Sequence, residues 1–496
     1  MPSAALPRIE IVNQLPGGAD HVVVGLLGEP EPRLVGAPAA REKAAKPLGG
    51  VLELARSMGA SSKAGEVTLL PRLDTTLAVV GLGGDDPTPE QVRRSTGAAV
   101  RALVGRAGEQ PLQLAVSLEL DEPETVRAAI EGAVLGAYEF TKVGAEPVVR
   151  LAQLSVVASL SAADAKQATA DARAVAAAVL VARDWINTPA NLLYPQTFAE
   201  QAKELARGAK IEVEVLDEKQ LAAQGFGGIL AVGGGSARPP RLVRLDYRPR
   251  GARNHLVLVG KGITFDTGGL NLKPAEGMYT MKCDMSGAAA VLAATRAVAE
   301  LGLDVRVTCY AAMAENMPSG SSYRPSDVIT MYGGQTVENV NSDAEGRIVM
   351  ADALARSQAD KPDLVVDVAT LTGACMVALG DRTAGLMATD DETADLVLDA
   401  AEAAGEDFWQ LPIPRETRSK LDSKVADLKS TGGDRFGGAL VAAAFLREFV
   451  ADGTPWAHLD IAGPAFLDGK PYGYVSAGGT GVGVRTLVAL ARSMSR

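Results

Sequence analysis

A heptad at residues 341–347, Asn-Ser-Asp-Ala-Glu-Gly-Arg, places charged side chains at every second position. Asp343, Glu345 and Arg347 share one face if the backbone there is extended or looped. Two carboxylates on one face repel each other unless a cation lies between them or the pKa of one rises. The heptad therefore indicates a metal ion, a bound cationic group, or a surface ion pair with Arg347, and it leads into a helix predicted over residues 344–358.

A second group of charged residues follows the apolar run 257–260, which is typical of a buried strand. These residues are Lys261, Asp266, Lys273 and Asp284. Polar groups that follow a buried strand lie at its carboxyl end, where open α/β sheets form their ligand crevice. We therefore predict that these four side chains and those of the heptad meet at one site.

Four carboxylates are too many for one compact divalent ion that keeps an open position, but they suit two ions that share bridging ligands. Oxygen ligation without histidine is compatible with Mn, Mg or Zn. Two such ions would make a bridging water acidic enough to hydrolyse an amide or a phosphate ester. Lys273 could stabilise an oxyanion. Arg347 stays protonated and could only hold an anion that acts as the base. The residues alone leave amide and phosphoester hydrolysis open.

The composition restricts the other functional classes. A chain of 496 residues is long enough for two or three domains. The net charge of −11 argues against a broad nucleic-acid surface. The three cysteines are widely spaced without a CxxC motif, which favours a reducing compartment. Neither a signal peptide nor an apolar run long enough to cross a bilayer is recognisable, so we expect a cytoplasmic location.

The order of strand-like and helix-like segments predicts an α/β fold in which helices alternate with strands. We expect a smaller N-terminal α/β domain over residues 1–160. A long helix over 161–186 should join it to a larger C-terminal α/β domain with a mixed central sheet, over 187–496.

Four local elements are predicted within these domains. We expect a helix over 40–58, a tight turn at 81–84, a strand over 228–232 and a hairpin around 331–335.

Several segments together closely resemble the leucyl aminopeptidase (cytosol aminopeptidase) family of two-metal exopeptidases. They are residues 259–269, 273–274, 281–284, 341–347, 367–374 and 458–463. The resemblance is dense from about Arg183 onward, whereas the N-terminal domain is similar only in layout. It implies that 187–496 is a catalytic domain and that the chain releases N-terminal residues, preferably Leu-like ones, from peptides.

The resemblance also implies a role for individual residues. Two divalent ions, Mn or Zn, would be held by Lys261, Asp266, Asp284, Asp343 and Glu345. Asp266 and Glu345 would bridge the ions, and Lys261 could bind only as a neutral amine, because the dication lowers its pKa. A metal-bridging hydroxide would attack the peptide bond. Lys273 would stabilise the oxyanion, and Arg347 would hold a bicarbonate that serves as the base.

The surroundings of the substrate follow from the same resemblance. Met281, Thr370, Gly373 and Ala462 would line an apolar pocket for the first side chain of the peptide, and the main chain of Leu371 would lie near the oxyanion or the leaving group. The free α-amine would bind a metal ion, which would explain why only terminal residues are released. The resemblance further implies a homohexamer, whereas the lack of a long apolar run predicts no membrane association. The alternative is a DNA-binding regulator that acts through the N-terminal domain, although the acidic composition makes nucleic acid an improbable partner.

Overall fold

The computed structural model describes five ranges of the chain. The described ranges are residues 6–16, 19–28, 30–36, 50–71 and 76–495. The first ten positions of the helix predicted over 40–58 lie outside these ranges. The remainder contains a shorter helix, Val51–Ser57.

The chain forms two compact units, and it passes between them more than once. The first unit contains residues 1–180 and 468–477, and the second contains residues 181–467 and 478–496.

The first unit is built on a sheet of seven described strands. They are β1 (Arg8–Val12), β2 (His21–Leu27), β3 (Arg33–Val35), β4 (Val67–Pro71), β5 (Thr76–Gly83), β6 (Leu112–Leu120) and β7 (Leu151–Ala158). Their order is β1-β7-β6-β2-β5-β4, with β3 beside β2. Only β3 and β4 run antiparallel to their neighbours in this described sheet. The helices are α1 (Val51–Ser57), α2 (Pro89–Ala107) and α3 (Pro123–Gly136).

Two local features of this unit show how the sequence sets its elements. Helix α2 begins with a capping box, in which Thr88 and Gln91 satisfy each other's backbone N–H groups. The tight turn predicted at 81–84 is wrong in its first part, because β5 continues to Gly83. Gly81 is needed there because a Cβ would lie 2.1 Å from the carbonyl oxygen of Lys63.

A long helix, α4 (Ala162–Asn187), occupies the position predicted for the connecting helix. The backbone N–H of Asp164 donates to the hydroxyl of Ser161 at 3.2 Å, which caps the first turn. The boundary between the two units falls inside this helix, after Leu180.

The second unit contains the larger, eight-stranded described sheet and two small ones. Its strands are β8 (Ile211–Leu216), β9 (Arg241–Tyr247), β10 (His255–Asp266), β11 (Arg306–Asn316), β12 (Val328–Thr330), β13 (Thr336–Glu338), β14 (Leu364–Ala369), β15 (Ala384–Ala388), β16 (Phe408–Gln410), β17 (Leu428–Lys429), β18 (Trp456–Asp460), β19 (Phe466–Leu467) and β20 (Gly478–Gly479). The main sheet has the order β16-β15-β18-β14-β10-β11-β9-β8. Its centre, β18-β14-β10-β11, is parallel, whereas β15 and β9 run antiparallel to it. The predicted α/β fold with a mixed central sheet is confirmed.

Ten α-helices follow α4 in the described part of the second unit. They are α5 (Pro195–Ala206), α6 (Glu218–Gln224), α7 (Gly227–Gly233), α8 (Ala275–Met278), α9 (Ser286–Leu301), α10 (Glu345–Ser357), α11 (Gly373–Leu379), α12 (Asp391–Ala404), α13 (Gly438–Arg447) and α14 (Val484–Ser493). Val257 and Val259 of β10 pack in one core cluster with Ile348 of α10. Gly260 faces Ala288 of α9 so closely that a Cβ would lie 2.6 Å from its Cα. No helix in the described ranges is long and apolar enough to cross a membrane.

The strand predicted over 228–232 is wrong, because these residues belong to helix α7. A short apolar run does not distinguish a buried strand from a buried helix. The helical form is held by a distant carboxylate, since Asp352 of α10 accepts the backbone N–H of Ile229 at 2.8 Å. The hairpin predicted around 331–335 is present, formed by β12 and β13.

Candidate metal centre and active site

The first site residues lie at the carboxyl ends of β10 and β11. The sequence predicted that β10 would end at Gly260, but it continues to Asp266, so Lys261 lies within the strand. The extension is possible because β11 runs beside it in parallel, with Lys261 opposite Ala312 and Asp266 opposite Asn316. The two charged side chains therefore project from a rigid strand and not from a loop.

The acidic heptad forms a short loop followed by the first turn of α10, which begins at Glu345. The Ser342 hydroxyl donates to the carbonyl oxygen of Gly268 at 2.7 Å. The Ser342 backbone N–H donates to Asn271 Oδ1 at 2.9 Å. These hydrogen bonds fasten the heptad to the loop that follows β10, which brings the two predicted groups of charged residues together.

Two lysine side chains each lie between two carboxylates. Lys261 Nζ is 2.8 Å from Asp284 Oδ1 and 2.9 Å from Glu345 Oε1. Lys273 Nζ is 2.8 Å from Asp266 Oδ2 and 2.5 Å from Asp343 Oδ1. All five predicted metal ligands and Lys273 therefore form one cluster.

The enclosure of Lys261 is almost complete. Its Nζ also donates to the carbonyl oxygen of Thr370 at 3.0 Å, and the Thr370 hydroxyl donates to Asp284 Oδ1 at 2.7 Å. Gly346 leaves the space that the lysine tip occupies, because a Cβ there would lie 2.6 Å from Nζ. The amine is therefore fixed in position by its surroundings.

The pKa shifts show that the buried carboxyl groups of the cluster crowd one another. Burial and repulsion from Glu345 raise the pKa of Asp266 to about 6. Burial also raises the pKa of Asp284. Burial opposes a charge on Lys261, but Asp284 and Glu345 hold the pKa of its amine above the ordinary value. Four carboxylates against two ammonium groups leave an excess of negative charge in a buried place, which favours binding of further cations.

The geometry of the carboxylates fits a divalent cation. Oxygen atoms of Asp266, Asp343 and Glu345 lie within 4.8 Å of one another. Asp284 Oδ2 and Glu345 Oε2 are buried and have no hydrogen-bond partner in the described part of the chain. A buried oxygen without a donor is costly. A cation with oxygen ligands would satisfy both atoms.

Arg347 borders a cavity of about 190 Å³ beside the cluster. Its Nη1 donates to the carbonyl oxygen of Ser430 at 3.0 Å, and its buried Nε finds no partner among the described residues. Burial lowers the pKa of Arg347 to about 10, so the guanidinium still carries its charge at neutral pH. The cavity is also lined by residues from the heptad, from the start of α11 and from the loop before α13, among them Asp343, Leu371, Gly373, Thr431 and Asp434.

Only some of the residues predicted to contact substrate line this cavity in the described part of the chain. Leu371 and Gly373 line the cavity. Thr370 contacts Lys261 and Asp284 instead. Met281 is in the short turn just before Asp284, and the backbone N–H of Ala462 donates to Asp460 Oδ1 at 3.2 Å. These three residues are not among the described residues that line the cavity.

No role was predicted from the sequence for several polar residues that hold the site in place, notably Asn316, Tyr323 and Asp460. Asp460 accepts the backbone N–H of Leu371 at 3.2 Å and the Thr372 hydroxyl at 2.7 Å. Asn316 was missed because it lies outside the charged segments from which the site was predicted. A polar residue at the true end of a strand parallel to β10 would have been the signal.

Comparisons with known proteins agree with this geometry. The family model described as "Cytosol aminopeptidase family, catalytic domain" matches residues 180–488, and the corresponding N-terminal domain matches residues 23–147. A probable cytosol aminopeptidase of Cutibacterium acnes is 52% identical and covers 99% of this chain and 97% of its own length. A probable cytosol aminopeptidase of Micrococcus luteus is 48% identical, with 96% of each chain covered.

Two solved structures are similar over nearly the whole chain. A mutant of tomato leucine aminopeptidase has a TM-score of 0.87 at 31% identity, with 99% of this chain and 98% of that chain covered. The bottromycin maturation enzyme BotP in complex with Mn has a TM-score of 0.84 at 40% identity, with 96% and 100% covered. The resemblance predicted from the motifs is confirmed. The chain belongs to the cytosol aminopeptidase family and is a metal-dependent aminopeptidase.

Proposed function

We propose that this aminopeptidase removes Leu-like N-terminal residues from peptides and holds two divalent ions in the cluster of Asp266, Asp284, Asp343 and Glu345. The observation that carries the proposal is the buried excess of carboxylates, two of whose oxygens have no hydrogen-bond partner within the described chain. Manganese is the first candidate, because the related BotP is known in complex with Mn. Zinc is the second.

The two proposed ligand sets are assigned from the carboxylates that lie closest to one another and from those that contact Lys261. Asp266, Asp343 and Glu345 would hold one ion, since their oxygens approach one another most closely. Lys261 and Asp284 would hold the other, with Asp266 and Glu345 shared between the two. Lys261 must then lose the proton that Asp284 and Glu345 now stabilise. A dication can replace that proton as the counter-charge of both carboxylates.

Bound divalent ions supply Lewis acidity and lower the pKa of a water that they hold. Lys273 lies at the edge of the cluster, and its carboxylate neighbours keep the pKa of its amine above the ordinary value. Its ammonium group is therefore a permanent donor for the carbonyl oxygen as negative charge develops there. Arg347 cannot act as a base, but its unpartnered Nε beside the cavity suits an anion such as bicarbonate, which would accept the proton.

Met281, Thr370, Gly373 and Ala462 would line the pocket for the side chain of the first substrate residue, and the main chain of Leu371 would lie near the oxyanion or the leaving group. Most of these residues offer apolar surface, which would favour Leu-like side chains. The free α-amine of the peptide would bind one of the cations, so an internal residue could not be processed. A homohexamer, a cytoplasmic location and the absence of nucleic-acid binding stay predictions.

The proposal is tested by hydrolysis of leucyl-p-nitroanilide in the protein reloaded with Mn²⁺ after EDTA treatment. The matched control substrate is N-acetyl-leucyl-p-nitroanilide, which differs only in its blocked amine and should not be cleaved. A panel of other aminoacyl anilides measures the side-chain preference. Equal rates on free and blocked substrates would contradict the role of the α-amine, and faster hydrolysis of p-nitrophenyl phosphate would favour a phosphoesterase.

A further inference from the structure

Asn316, the last residue of β11, connects the two segments that carry the ligands. It is 1% exposed. Its Nδ2 donates to Asp266 Oδ1 at 2.8 Å and to the carbonyl oxygen of Ser342 at 3.0 Å. The backbone carbonyl oxygen of Asn316 accepts the backbone N–H of Thr267 at 3.1 Å and the Thr267 hydroxyl at 2.8 Å. One residue therefore joins the end of β10 to the acidic heptad.

We propose that Asn316 is a positioning residue that sets the cation affinity of the site, an inference that rests on the metal centre proposed above. Asp266 Oδ1 accepts two hydrogen bonds, from Asn316 and from the backbone N–H of Gly268 at 2.8 Å. These two hydrogen bonds occupy Oδ1, and Oδ2 is the oxygen that faces Lys273 and the cluster. Without Asn316, only the backbone N–H of Gly268 would hold Oδ1, and the carboxylate would rotate more easily.

The same amide fixes the second ligand segment. The Ser342 carbonyl oxygen immediately precedes Asp343, and it accepts from Asn316 and from the Tyr323 hydroxyl at 2.7 Å. The position of the peptide group before Asp343 is therefore tied to the end of β11. Because Asn316 holds both segments, it sets how far Asp266 lies from Asp343.

A neutral amide suits this position better than a carboxylate would. Its two N–H groups serve the two acceptors, and it adds no charge to a cluster that already has an excess of carboxylates. Its Oδ1 has no hydrogen-bond partner in the described part of the chain, and a Cβ on Gly269 would lie 2.9 Å from it. An aspartate of the same shape would place a like charge against Asp266 Oδ1.

The test measures Mn²⁺ binding to EDTA-treated protein by the electron paramagnetic resonance signal of free Mn²⁺, so that it does not depend on activity. We expect Asn316→Ala and Asn316→Asp each to weaken Mn²⁺ binding by about tenfold to a hundredfold, as for other residues that orient metal ligands. Tyr323→Phe removes one donor to Ser342 but none to Asp266, and a smaller loss is expected. Asn254→Ala is the matched control, because Asn254 Nδ2 also donates to a backbone carbonyl, that of Met494, at the opposite end of β10.

The outcomes separate this inference from the metal centre itself. If the parent protein binds no Mn²⁺, the proposed metal centre fails. If the parent binds Mn²⁺ and the folded Asn316 variants bind it equally well or more tightly, the positioning role is overturned. A purely structural role would lower the thermal unfolding midpoint in EDTA, as Asn254→Ala should, and leave the affinity unchanged. If Tyr323→Phe weakened Mn²⁺ binding as much as Asn316→Ala does, the hydrogen bond from Asn316 to Asp266 would not be what sets the affinity.

Discussion

Replacement of Gly346 by alanine should reveal how tightly the site is built around Lys261. Gly346 is the second residue of α10, and alanine is favoured over glycine in a helix by roughly 0.5–1 kcal/mol. A Cβ at this position would, however, lie 2.5 Å from Lys261 Cε and 2.6 Å from Nζ. The tip of a lysine is usually free to move, but this one contacts Asp284 and Glu345.

The magnitude follows from what the displaced amine leaves behind. Asp284 and Glu345 are 4% and 2% exposed, so they lose their counter-charge in a place that water does not reach. Removal of one partner from a buried ion pair typically costs about 3–5 kcal/mol, and the alanine offsets at most about 1 kcal/mol of that. We expect Gly346→Ala to lower the free energy of unfolding of the metal-free chain by about 2–4 kcal/mol. Mn²⁺ binding should weaken by at least about tenfold.

Urea denaturation in EDTA measures the first effect, and a Mn²⁺ titration measures the second. Gly105→Ala is the matched control, because Gly105 lies in helix α2 and a Cβ there would meet no atom within 4 Å. That variant should gain up to about 1 kcal/mol from helix propensity. If Gly346→Ala were stabilised to the same extent and bound Mn²⁺ normally, the argument that Lys261 is locked in place would be refuted.

Other predictions concern the ligands and the titration of buried groups. Asp343→Ala should abolish turnover and weaken metal retention, whereas Lys273→Ala should spare metal content but reduce turnover. Metal content and kcat are measured for both variants. A Lys273→Ala protein that holds no metal would contradict this division of roles. Because Lys261 must lose a proton to bind an ion, Mn²⁺ affinity should rise with pH by up to about tenfold per unit; a flat titration curve would argue against ligation by the amine. Burial raises the pKa of Asp352 to about 7. The folded state therefore holds this proton more tightly than the unfolded chain does, and stability is lost as the pH rises between about 4 and 7. Asp352→Asn should remove this part of the pH dependence of the urea midpoint, and an unchanged slope would count against it.

The sequence was informative about the fold where the pattern of apolar residues had one interpretation. Alternation of strands with longer helices predicted the α/β class and the mixed sheet, since parallel strands need helical crossovers. It failed at 228–232, which belong to the seven-residue helix α7, where the backbone N–H of Ile229 donates to Asp352, far away in the chain. A contact of that kind is invisible to local patterns, because it depends on which helix packs beside the segment.

The candidate site was predictable in its residue types but not in its supports. Polar residues after a buried strand lie at its carboxyl end, and this rule was sufficient to bring Asp266 and Asp284 to the same place as Glu345. The end of β10 was misplaced at Gly260, where the apolar run of residues 257–260 stops. Its extension to Asp266 depends on pairing with β11, which a single segment does not reveal. The hydrogen bonds of Asn316 depend on the same pairing.

The different roles proposed for the two lysines follow from how far each is enclosed. The Lys261 side chain is 3% exposed and is confined by Thr370 and by the backbone at Gly346, so it must stay in the cluster when cations enter. An ammonium group that cannot leave a site occupied by dications is repelled by them unless it gives up its proton, and the neutral amine is then a ligand. The Lys273 side chain is 18% exposed and can turn away from Asp266 with its charge intact. The same set of carboxylates can therefore make one lysine a ligand and leave the other as an electrostatic catalyst, and what distinguishes them is the space around each amine.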